Sequence, residues 1–147
     1  MSTMVLVVRG YAKNIHGAVA IEVRETDLWG DIGIPKDTRA TGLAISTPYG
    51  CVIVIGVDAS IAGERVLLAS FLDPLDGETI RIIEAASITR KLMVMRNGKI
   101  VGSLVLSDED MGKMEYVATK TRECSQMQNK PVDLDLAAQW FLENFNF

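Results

Sequence analysis

Histidine is almost missing from this sequence: His16 is the only one among 147 residues. A single imidazole excludes multi-histidine metal centres and leaves any serine or cysteine triad resting on one position. Cysteine is scarce as well, with only Cys51 and Cys124. Two cysteines are too few for a disulfide scaffold or a structural zinc site, so the expectation is unpaired thiols in a reducing compartment. Basic charge is in deficit, with 15 Lys and Arg against 19 Asp and Glu. A broad phosphate-binding face needs clustered Lys and Arg, so no nucleic-acid partner is expected. Long apolar runs are lacking too. Nothing approaches the ~20 residues that cross a bilayer. The apolar stretch at residues 4–8 is shorter than the ~7–15 residues of a secretory core. These absences read as a soluble, cytoplasmic chain with no membrane partner, no metal and no cofactor.

What is present is a globular composition, 48% hydrophobic and 23% charged. With no repeat, linker or low-complexity tract, residues 1–147 read as a single α+β domain. Strand patterns dominate the first hundred residues. Ala18 to Arg24 alternates, with Val19, Ile21 and Val23 on one side and Glu22 and Arg24 on the other. Gly42–Thr47 and Cys51–Val57 flank "PYG" as a hairpin, and "CVIVIGV" is apolar on both sides, so both of its faces should be covered. Residues 60–72 fit a strand better than a helix, because Gly63 weakens a helix, and "TIRIIEAA" at 79–86 also reads as strand. Asn97-Gly98 between two apolar runs marks a type I′ hairpin pairing Arg96 with Lys99, Met95 with Ile100 and Val94 with Val101.

After Ser107 the period becomes helical. Ser107 and Asp110 form a carboxylate capping box. Met111, Met114, Ala118 and Thr121 make a stripe, with Val117 and Cys124 beside it. Asp133 caps a second helix whose Leu134, Ala138, Phe141, Leu142 and Phe145 share a face. The expected fold is α+β: a mostly antiparallel, strongly curved sheet or partial barrel of seven to eight strands, followed by two C-terminal helices.

Few residues suggest chemistry. Cys51 heads an aliphatic run, where a free thiol packs as a small hydrophobe. The catalytic alternative pairs it as nucleophile with His16 as base and Asp31, or Asp58, as orienter. The long segment 27–41 offers Trp29 as a stacking wall and Arg39 as an anion anchor, and Tyr49 joins them as a ligand-binding candidate. "DPLDGE" lacks the spacing of a calcium loop. Glu22 and Glu84 sit in apolar stretches but suit outward, solubilising positions. Five of the seven methionines, Met93, Met95, Met111, Met114 and Met127, fall in the hairpin and first helix. They fill core gaps or line an adaptable surface.

The leading functional expectation is a non-catalytic cytosolic binding module. It would self-associate, first as a homodimer, and offer a partner surface or a small-molecule pocket between sheet and helices. The alternative is a small cofactor-independent enzyme, hydrolase- or transferase-like, using the Cys51 and His16 pair in a pocket at the mouth of the sheet.

Overall fold

A computed structural model describes residues 5–23 and 34–144 of the chain. Seven strands form one sheet: β1 (Val5–Ile15), β2 (Ala18–Val23), β3 (Arg39–Thr47), β4 (Gly50–Ile61), β5 (Glu64–Leu72), β6 (Lys91–Arg96) and β7 (Lys99–Val105). The described residues also form three helices: α1 (Gly77–Thr89), α2 (Asp108–Met127) and α3 (Leu134–Asn144).

The sheet order is β3-β4-β5-β1-β2-β6-β7. Hairpins supply four antiparallel ladders, and the β1–β5 and β2–β6 ladders are parallel. The fold is thus α+β with a mixed, open sheet. Four of its six ladders are antiparallel, in keeping with the expected mostly antiparallel sheet, and it is not closed, with β3 and β7 at its edges.

Turn chemistry explains most of the hairpins. Asn97 and Gly98 both hold positive φ (52° and 78°), as a type I′ turn requires. Arg96 pairs with Lys99 and Met95 with Ile100 as expected, but a bulge then sets Val94 opposite Gly102 rather than Val101. Residues 60–72 are strand apart from a second tight turn at Ala62 and Gly63 (φ 52° and 81°) that ends β4 and starts β5. No Asn or Asp marks that turn, so the sequence hid it.

The strand expected at 79–86 is corrected to α1. Asp76 caps it, accepting from the Glu78 amide at 3.0 Å, and Thr79, Ile82, Ile83 and Ala86 are buried at helical spacing. The β-branched residues fit either period, and the caps and the layer to be filled decide. α2 opens as read: Ser107 accepts from the Asp110 amide, and Asp110 closes the capping box. Asp133 caps α3 through the Leu136 amide at 3.1 Å. Within α3, Phe141 is buried, but Leu142 is 50% exposed, and Phe145 lies outside the described residues.

Two apolar layers flank the sheet. One joins Val19, Ile21, Ile53, Ile55, Leu68 and Leu92 to α1 and α2 through Ile83, Met114 and Val117. The other joins Val52, Val54, Leu67 and Phe71 to Ala137, Ala138 and Phe141 of α3. β4 sends alternate residues into each layer, so its run is apolar throughout because it is covered on both sides. No described helix is long and apolar enough to cross a membrane.

Candidate functional site

Among the described residues β3 is an edge strand, and its register sets which of its backbone groups the sheet leaves unpaired. A two-residue loop, Pro48 and Tyr49, joins Thr47 to its partner Gly50. The residues flanking such a loop exchange ladder hydrogen bonds, so the odd-numbered residues of β3 bond to β4. The amides and carbonyls of Ala40, Gly42, Ala44 and Ser46 therefore point away from the sheet. One of these outward groups has a visible partner: the Ala40 carbonyl accepts from Lys113 Nζ at 3.0 Å. That contact confirms the direction of the edge. Such an edge is a template for another strand.

α2 lies over the same strand. Gly42 permits the close approach, since a Cβ there would stand 3.1 Å from the Lys113 carbonyl and 3.2 Å from Val117. Met114, Val117 and Thr121 are buried beneath the helix, while Tyr116, Lys120 and Met127 form a flank beside the free edge. Tyr116 is 48% exposed and Met127 85%. Glu123 accepts from Lys120 at 3.1 Å and raises the pKa of its ammonium, first through that hydrogen bond and then through charge. A hollow of about 240 Å³ opens between this flank and Ala44 and Ser46. It continues past Met127 into a larger one of about 650 Å³, walled by the β3–β4 turn and the connection from α2 to α3. Tyr49, Gln128, Asn129, Lys130 and Asp133 line that second hollow. A third, of about 530 Å³, lies at the opposite end of β3 between residues 36–39 and the start of α2. The first two hollows follow the β3 edge, whereas the third also reaches Leu104 and Val105 of β7.

A disulfide closes the floor of the groove. Cys51, facing α2 from the first turn of β4, is bonded to Cys124, with Cα atoms 6.3 Å apart. The expectation of an unpaired thiol is corrected. The pairing was invisible because the two residues are 73 positions apart and meet only once α2 is seated on β3. The Cys51 amide donates to Gln128 Oε1, fixing the residue that ends α2. Gly50 is required beside it: its φ is +123°, and a Cβ would stand 2.8 Å from that same oxygen.

The expected catalytic group is not assembled. His16 is exposed in the β1–β2 turn at φ 51°, and β5 lies between β4 and β1 in the sheet. The Cys51 sulfur is in a disulfide and offers no thiolate. Asp58 chelates Arg65, whose pKa it raises first through that hydrogen bond, against the lowering effect of burial. Asp31 and Trp29 lie outside the described residues. Arg39 is exposed at the start of β3 and donates to Glu109 at 2.8 Å. Tyr49 lines the 650 Å³ hollow and stands at the far end of β3 from Arg39. Glu84, expected on a strand, is on α1 and accepts from Arg122 at 2.7 Å, while Glu22 accepts from Lys13 at 2.6 Å. No cluster of metal-binding side chains occurs among the described residues.

Met127 was named among the methionines that fill core gaps or line an adaptable surface; Tyr116, Lys120 and Gln128, which join it here, were not singled out by the sequence. Tyr116, Lys120 and Met127 share a helix face once α2 is phased by its buried stripe, but nothing local says which strand that face meets. No protein-family model matches the chain, and no curated protein or solved structure matches it.

Proposed function

We propose that this protein is a non-catalytic binding module that takes an extended peptide strand onto the free edge of β3, beside α2. The observation that supports it most is the set of outward backbone groups at Gly42, Ala44 and Ser46 bordering a groove flanked by Tyr116 and Met127. A strand added there would gain ladder hydrogen bonds from its backbone and specificity from alternate side chains in the hollows. Tyr49 and Met127 would supply adaptable apolar contact at the wider end. A second copy of the chain offering its own β3 would give the symmetric, self-associating form of the same site.

The test begins with a random decapeptide display selection, followed by NMR titration of a selected peptide. Support would be amide shifts concentrated at Ala44, Ser46 and the 116–127 flank, lost in Ala44→Pro, which removes an outward donor. Shifts concentrated elsewhere, or undiminished binding by that variant, would refute the reading. Concentration-dependent dimerisation abolished by Ala44→Pro would assign the added strand to a second copy.

A further inference from the structure

We infer that the Cys51–Cys124 disulfide is a redox-operated clamp on this groove, an inference that rests on the groove being the binding site. The buried stripe of α2 ends at Thr121. Beyond it, Arg122, Glu123, Gln126 and Met127 are exposed, and Cys124 and Ser125 are half-buried. No basic residue in the last turn offsets the helix dipole. What ties this end of α2 to the sheet is the disulfide, together with the Cys51 amide bonded to Gln128 Oε1. Gln128 Nε2 is buried without a hydrogen-bond partner among the described residues, so its side chain is a poor anchor on its own.

Both cysteines border the open 240 Å³ hollow, although Cys51 also packs against the core layer, so a thiol reagent has a path to them. A dithiol reductant balances the reaction. Its thiolate attacks one sulfur, the Cys51–Cys124 bond breaks, and a mixed disulfide forms. The reductant's second thiolate then resolves that intermediate. The reductant leaves as its own disulfide, having passed two electrons, and Cys51 and Cys124 are left as thiols after taking up two protons. In that state the terminal turn carrying Met127 and the start of the 128–133 connection lose their covalent tether, while Val132 stays buried in the α3 layer. Met127, which lines both the 240 Å³ and the 650 Å³ hollows, then becomes mobile, and the groove holds its strand less well.

The test is hydrogen exchange on the full chain, oxidised and after dithiothreitol, with thiols counted by alkylation and mass. The expected result is two alkylated cysteines without denaturant. Exchange over residues 122–133 should accelerate at least about tenfold while β4 and β5 stay protected. A disulfide reducible only in denaturant, an unchanged 122–133 segment, or uniform loosening would each overturn the clamp and leave a structural staple. The double variant Cys51→Ser/Cys124→Ser should reproduce the reduced pattern. Should it fail to fold, the dithiothreitol titration of the wild-type chain still decides. No ligand enters this measurement, so its failure leaves the groove reading standing, whereas the peptide selection on oxidised protein can fail with the clamp intact.

Discussion

Replacing one residue of β3 by proline, at two adjacent positions, separates the edge from the ladder. Ala44 and Ile45 are neighbours on the same strand, opposite Ile53 and Val52 of β4. Proline removes a backbone donor, and whether that donor was in use decides the outcome. The Ala44 amide points out of the sheet, so Ala44→Pro breaks no ladder bond. Its preceding residue is already extended, as proline demands. Ala44 is half-buried against the core layer, so the cost should be about 1 kcal/mol, the centre of the range for single substitutions. The Ile45 amide bonds to β4, in a stretch where Val52 and Val54 are fully buried. Ile45→Pro leaves a buried carbonyl unpaired, worth about 1–3 kcal/mol. It also removes a half-buried side chain packed on the α3 layer, worth about 1 kcal/mol more. Ile45→Ala isolates that second part. Urea unfolding of the three variants gives the differences directly. Ile45→Pro should be less stable than Ala44→Pro by about 2–3 kcal/mol, or roughly 4–12 °C in Tm for a chain of this size. Equal losses, after the Ile45→Ala correction, would mean that the ladder uses the other set of amides and that the proposed site has no free donors.

Other perturbations test the layers. Phe141 is 1% exposed and meets Phe71 edge-on at 5.3 Å, so Phe141→Ala should cost about 3–5 kcal/mol in urea unfolding. Leu142→Ala, one residue on and half exposed, should fall within about 0.5 kcal/mol; similar costs for the two would mean that α3 docks by another face. Ala62 holds φ +52° before Gly63, so Ala62→Asn, which creates the favoured Asn-Gly turn, should raise stability by about 0.5–1 kcal/mol. Destabilisation in a thermal melt would show that the turn is not of that type.

Apolar and charged residues divided the chain into recognisable pieces wherever short-range chemistry sufficed. The Asn97-Gly98 turn, the Ser107 capping box, the two-sided burial of β4 and the buried stripe of α2 depend on residues a few positions apart, and their patterns were readable. The candidate site was much less legible. Tyr49 was named and lines the 650 Å³ hollow, yet the flank it belongs to comes from a helix more than sixty residues later. Residues 79–86 were misread because "TIRIIEAA" satisfies strand and helix periods alike, and only the Asp76 cap and the face it covers select the helix.

By itself, then, the sequence determined the Asn97-Gly98 turn, where α2 and α3 begin and which runs avoid water, because torsional preference, capping and apolar period act locally. Tertiary structure alone decided that β1 pairs in parallel with β5, that β3 stands at the edge, and that Cys51 reaches Cys124. Those outcomes depend on long-range pairing, in which distant segments meet to complete a shared core. The entropy of closing such loops depends only weakly on which residues lie between their ends, so no short stretch of sequence records it.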